Sequence, residues 1–174
     1  MELLTMAGNL GFDCARIGTD EIVMDSEFRK YCAENLCGQY GANYSCPPDC
    51  GSVEEMSNRL LAFNNALVVH TVWPIAGYQD YDAIRAAKRS HNESMLKLCD
   101  TLRREGTDCL MCGASHCTLC DVCAKTEGEP CRDELRRFSC LSAYCIHVAK
   151  LAESAGMDFS WSERQLNLYG LIAF

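Results

Sequence analysis

Apolar positions recur at helical spacing in some stretches of the chain and run together in others. After Ser52, the positions Val53, Met56, Leu60 and Leu61 follow a helical period. Ser52 with Glu55 three residues on forms a capping box, so a helix is predicted over 52–63. Ala66 to Trp73 is an apolar, β-branched run stopped by Pro74, which predicts a buried strand. A long helix is predicted over 80–104, with Ile84, Ala87, His91, Met95, Leu98 and Leu102 on one stripe. Another is predicted over 139–155, with Leu141, Tyr144, Cys145, Val148, Leu151, Ala152 and Ala155 aligned and Gly156 placed to end it. Leu166 to Phe174 reads as a final strand, and Phe12 to Ile17 and Thr107 to Met111 as shorter ones. The expected fold is α/β, with α+β as the alternative arrangement: a mixed sheet packed by helices, carrying two cysteine-rich metal-binding loops. No repeat, low-complexity segment or linker divides residues 1–174, so one domain is expected.

Composition narrows the function classes. With 48% hydrophobic and 23% charged residues, the chain has the balance of a folded domain, which excludes disorder and coiled coil. Apolar runs such as Ala66 to Val69 fall far short of a membrane span. The net charge of −8 argues against nucleic acid, whose phosphates are bound through Lys and Arg. The 14 cysteines change the picture most. They admit disulfides, zinc or iron–sulfur. Met1 to Ala7 carries no basic segment of the kind that opens a secretory signal, so a cytoplasmic location with reduced thiols is expected. Metal is then the better account.

The cysteines are unevenly spread. Cys32, Cys37, Cys46 and Cys50 form one group, and Cys109, Cys112, Cys117, Cys120, Cys123, Cys131, Cys140 and Cys145 another, with none between 51 and 98. In the second group, Cys117-x2-Cys120-x2-Cys123 allows one tight loop to ligate three corners of a cuboidal cluster, with Cys131 supplying a fourth thiolate. Zinc prefers two knuckles separated by a longer stretch, and the pairs Cys109/Cys112 and Cys117/Cys120 are cramped for that. Spacing therefore favours iron–sulfur and leaves zinc as the alternative. Cys145 and Cys99 fall on or beside apolar helix stripes and read as core packing. Cys109, Cys112 and Cys140 stay open as alternative ligands or a redox-active pair, and Cys14 is unassigned. Arg132, next to Cys131, is either a donor offsetting cluster charge or a solvated partner of Asp133 and Glu134. In the first group, Gly38, Gly41 and Asn43 mark a sharply turning loop, and Pro47-Pro48 stiffens the chain after Cys46.

The two segments together carry a resemblance. One half is Cys32…Cys37-x2-Tyr40-Gly41-x-Asn43-x2-Cys46-Pro47-Pro48; the other is Cys117-x-Leu119-Cys120-x2-Cys123…Pro130-Cys131-Arg132 followed by Ser139 and Ala143. This pattern resembles the bacterial and archaeal family of predicted metal-binding proteins, domain of unknown function 2284, from about residue 10 to the C-terminus. The resemblance implies Cys32, Cys37 and Cys46 as ligands in the first loop, and Cys117, Cys120, Cys123 and Cys131 in the second. Cys50 lies outside that pattern and joins the set as an eighth candidate. The chain departs from the pattern at Ala124-Lys125, where an aromatic-Pro step is expected, and at Cys145, where a small residue, usually glycine, is. The resemblance supports metal and leaves the reaction open.

Other chemistry is sparse. His70 and His91 lie on apolar stretches and read as core histidines, His147 as solvated, and His116 as the one histidine placed to join a metal site. No glycine-rich phosphate loop and no nucleophile elbow occurs. The leading expectation is two cysteine-ligated [4Fe–4S] sites working in electron transfer or redox chemistry, suited to an anaerobic cell. The electrons would pass to a partner protein, a small molecule or a corrinoid-type system. The alternatives are an enzyme using an open cluster iron at Cys32/Cys37/Cys46 for sulfur or reductive chemistry, and a zinc-stabilised binding module. Three thiolates at the first site leave an iron open for catalysis; four make a saturated carrier.

Overall fold

The computed structural model describes residues 3–174; Met1 and Glu2, which open the stretch read for a secretory signal, lie outside it. In chain order the elements are α1 (Leu3–Asn9), β1 (Asp13–Gly18), α2 (Arg29–Ala33), α3 (Val53–Leu61), β2 (Asn65–Pro74) and α4 (Tyr81–Arg104). Then come β3 (Leu110–Gly113), β4 (Ser139–Cys140), α5 (Val148–Ser154) and β5 (Gln165–Ala173). The five strands form one mixed sheet in the order β1-β2-β5-β3-β4, with only β3 and β4 parallel. The fold is mixed α+β: helices cover a mixed sheet, as the hydrophobic pattern predicts.

Strand β2 shows why. Its residues Ala66, Leu67, Val68 and Val69 are all buried, because the sheet is covered on both faces and successive side chains point to opposite sides. Val68 and Leu171 belong to a core shared with Met56, Leu60, Tyr144, Ile146 and Leu151. Leu67, Val69 and Ile172 belong to the other, with Met95, Leu98, Cys99 and Leu102 of α4. α4 starts at Asp80, whose carboxylate accepts from the Ala83 amide at 3.3 Å, and stops at Gly106, held at φ +80. The helix lies so close to β5 that a Cβ at Gly170 would overlap Met95 and come within 3.1 Å of His91 Nε2. His91 is buried as expected; burial, then His70, push its pKa down to about 3, so it sits neutral, its Nδ1 2.7 Å from Thr71 Oγ1. α3 keeps its capping box, with Ser52 Oγ 3.1 Å from the Glu55 amide and Glu55 Oε2 2.7 Å from the Ser52 amide.

One helix is shorter than its spacing predicts. Of 139–155 only Val148–Ser154 is helical. Ser139 and Cys140 pair with β3 instead, and residues 141–147 form a turn in which Cys145 takes a left-handed φ of +57. Leu141, Tyr144 and Cys145 are buried in that turn, so their spacing mimics a helical stripe without a helix. A glycine would hold the left-handed conformation with less strain. His147 is the residue that caps α5, its Nδ1 accepting from the Lys150 amide at 3.4 Å. α1, α2 and β4 have no counterpart in the pattern-based reading. Among the described residues no helix is long and apolar enough to cross a membrane.

Candidate metal centre

The second cysteine loop hangs from the end of β3. At Gly113 there is no room for a side chain, because a Cβ would lie 2.7 Å from both Asn92 Oδ1 and the Phe138 ring. Asn92, fully buried on α4, accepts from the Ala114 amide at 3.0 Å and donates to Ser115 Oγ at 2.9 Å, fixing the loop's entrance. Cys117, Cys120, Cys123 and Cys131 then face one cavity of about 30 Å³, joined by Asn43 and Ser45 from the first loop. The turn over Ala124–Glu127 closes at Gly128, φ +74, and returns the chain to Cys131.

Burial raises the Cys117 pKa, while the backbone amides of Leu119 and Phe138 point at its sulfur and oppose the rise. Arg132 hydrogen-bonds the Cys120 sulfur and lies near Cys123; its guanidinium also reaches Val122 O at 2.9 Å and Glu127 Oε2 at 2.5 Å. Its ion pair is with Glu127, not with the Asp133 or Glu134 expected of a solvated arginine there. His116 is half-buried, with its pKa lowered by burial and then by Lys88 and Arg89, and it does not line the cavity.

The first loop is built differently. Cys32 sits in α2, and Cys37 lies between two left-handed residues, Asn35 at φ +54 and Gly38 at φ +70. Asn35 Oδ1 accepts from the Tyr40 amide at 2.9 Å, and the Gly41 amide donates to Pro47 O at 2.8 Å, folding the loop back on itself. Buried Asn43 accepts from the Ser45 amide at 3.0 Å and the Ser45 hydroxyl at 2.6 Å. Cys46 is buried: desolvation pushes its pKa up to about 12, neighbouring Cys140 and Cys37 add to the rise, and Ser45 and Asn43 moderate it. Burial raises Cys32 first, and the next contribution is again Cys140. Cys50 is also buried, with Arg29 Nη1 3.9 Å from its sulfur; burial raises its pKa and Arg29 offsets part of the rise.

The structure thus brings Cys117, Cys120, Cys123 and Cys131 to one cavity, while in the first loop Cys37 acts electrostatically on both Cys32 and Cys46. Cys50 adjoins Cys32 through the Arg29 side of the loop. Cys140, left open by spacing alone, lies beside Cys32, Cys37 and Cys46. Its only sequence signal is its place between Ser139 and Ala143, where the family pattern continues. Among the described residues no three Cys, His, Asp or Glu side chains are grouped closely enough to hold a metal ion. All 14 cysteines are free thiols. Cys99 and Cys109 form a hydrogen-bonded buried pair, in which Cys109 is lowered and Cys99 raised.

The two loops touch. Cys117 donates its amide to Ser45 Oγ at 2.9 Å, Tyr44 Oη donates to Glu129 O at 2.8 Å, and Lys125 pairs with Asp49 beneath the Tyr44 ring. Beside them runs a groove of about 400 Å³ with Cys50, Tyr144, Arg59, Arg103 and Arg137 on its walls.

A family model described as a predicted metal-binding protein (DUF2284) matches residues 15–174. No curated protein and no solved structure matches the chain.

Proposed function

Because this chain belongs to the predicted metal-binding protein family (DUF2284), we propose that it holds two thiolate-ligated iron–sulfur clusters of the [4Fe–4S] type and works in electron transfer. The observation that carries this reading is the convergence of Cys117, Cys120, Cys123 and Cys131 on one cavity. The triple Cys-x2-Cys-x2-Cys spacing favours a cluster over zinc at that place. A bound cluster would supply one-electron redox chemistry. The chain's own part is to hold the thiolates, to direct the Leu119 and Phe138 amides at Cys117, and to set Arg132 against the negative charge at Cys120. Cys32, Cys37 and Cys46 hold the second cluster in the same reading, with the fourth position to be assigned. The net charge of −8 suits a basic redox partner protein, drawn in by electrostatic steering, and the free thiols suit a reducing cytoplasm.

Protein purified without oxygen should carry iron and acid-labile sulfide in equal amounts and absorb broadly in the visible through thiolate-to-iron charge transfer. Zinc without sulfide would overturn the reading and leave a zinc-stabilised module.

The groove favours a second reading, an enzyme acting on a small anionic molecule. Three arginines and two tyrosines line it with Cys50, next to the first loop, against the two carboxylates Asp108 and Glu134. Binding of a dicarboxylate that is lost in Arg103→Gln would support it; a groove indifferent to anions would remove it.

A further inference from the structure

The first loop offers Cys32, Cys37, Cys46 and Cys50 along the sequence, but the fold supplies another thiol from ninety residues away. We infer that Cys140 is the fourth thiolate of the first metal site, with Cys32, Cys37 and Cys46, and that Cys50 stays outside the ligand set. This rests on the reading of that loop as a thiolate metal site.

Three features of the fold bring Cys140 there. First, the segment leading into α2 is stitched to the turn after Cys140: the Asp25 amide donates to Cys145 O at 2.8 Å, the His147 amide to Val23 O at 2.9 Å, and Met24 bridges to Ile146. Second, Arg29, at the start of α2, spans the same gap. Its Nη2 donates to Ala143 O at 2.7 Å and its Nη1 to Gly51 O at 3.1 Å. Third, Cys140 closes β4 at the sheet edge, with the Leu141 amide tied to Gly113 O at 3.1 Å, so its position is set by the sheet.

The sulfur itself is prepared as an acceptor. The Ala143 amide donates to Cys140 Sγ at 3.4 Å, and the Ser142 amide also points at it. This repeats the arrangement at Cys117, where two backbone amides face the sulfur. The charge of Cys140 couples with those of Cys32, Cys37 and Cys46, whereas the Cys50 sulfur is engaged by Arg29 Nη1 at 3.9 Å and by Gly51 O at 3.8 Å. A cationic guanidinium beside Cys50 also suits an anionic site seen from its flank. Each of the four thiols would release its proton as metal binds.

Cys140→Ser, Cys46→Ser and Cys50→Ser, prepared without oxygen beside the wild type, decide the assignment by iron, zinc and sulfide content per chain and by the spectrum of the reduced protein. Cys140→Ser and Cys46→Ser should each lose the same half of the bound metal and the same spectral component, and Cys50→Ser should keep both. Full metal in Cys140→Ser, with loss in Cys50→Ser, would overturn the assignment. Zinc without sulfide in the wild type would end the iron–sulfur reading, yet the same three zinc contents would still decide for or against Cys140. Should Cys140→Ser not fold, alkylation of the wild type decides. Cys140 should be shielded when metal is bound and labelled after it is stripped, with Cys50 unchanged. Labelling of Cys140 that ignores the metal refutes the assignment.

Discussion

The two cysteine loops reach similar surroundings by opposite routes. Residues 117–131 contain all four thiols that face their cavity, and the loop is held at its entrance by Asn92 and Gly113 and along its rim by Ser45, Tyr44 and Asp49 of the first loop. Residues 32–50 supply Cys32, Cys37, Cys46 and Cys50, and Cys140, whose charge acts on Cys32 and Cys46, arrives on the edge of the sheet. A contiguous loop can close around metal as a local event, at the entropy cost of a short loop. A site drawn from α2, a turn and β4 forms only when the scaffold has formed. The second site is therefore local in its assembly, and the first depends on the tertiary fold.

The largest expected effect tests that independence. Cys120→Ser should empty the second site while the first keeps its metal, read as loss of half the bound metal with the scaffold's circular dichroism unchanged. If both sites empty together, the loops form one cooperative unit and the contrast fails. Next comes Arg29→Ala. It strips two donors from Ala143 O and Gly51 O, and hydrogen bonds to a charged group are worth about 1.5–3 kcal/mol each. Chemical denaturation should show a loss of about 3 kcal/mol, and metal should leave the first site and stay in the second. An equal loss from both sites would show that Arg29 supports the scaffold as a whole.

The same contrast explains what was legible in the sequence. That the second loop's four thiols share one cavity could be read from spacing because they are neighbours along the chain. β2, α3, α4 and β5 were legible for a related reason: capping at Ser52, the run from Ala66, and the stripe on α4 are each local patterns with one physical outcome. Cys140 was not legible as a neighbour of Cys32, since nothing local says that β4 pairs with β3 or that Asp25 meets Cys145. The reading of 139–155 as one helix failed for the complementary reason. Burial at positions 141, 144 and 145 is produced by a turn packed under the sheet, and burial alone does not distinguish a turn from a helix. Cys145, left-handed at φ +57, marks that turn.

A smaller effect should come from the seam between the loops. Ser45 stands next to Cys46 in the first loop, and its hydroxyl accepts from the Cys117 amide of the second. Ser45→Ala leaves that amide without its partner, at a cost of about 1–3 kcal/mol. Both sites should still fill, because no thiol is lost, and thermal unfolding should shift down by about 2–4 °C for each kcal/mol. A Ser45→Ala protein that cannot hold metal in the second loop would show that this loop depends on its neighbour.

The smallest effect belongs to Lys125 and Asp49, which join the rims of the two loops with each side chain about a quarter exposed (24% and 23%). Lys125 also lies over the Tyr44 ring, 5.6 Å from its centre. Such a pair pays the entropy of holding a long side chain in place and is weakened by salt, so a double-mutant cycle of Lys125→Ala and Asp49→Ala should give about 1 kcal/mol or less. The coupling should shrink as salt is raised, while metal content at both sites stays constant. A coupling several times larger, insensitive to salt, would place the rims in the same cooperative unit as the thiols. The two loops would then be one assembly, with the first loop's dependence on the sheet passed on to the second.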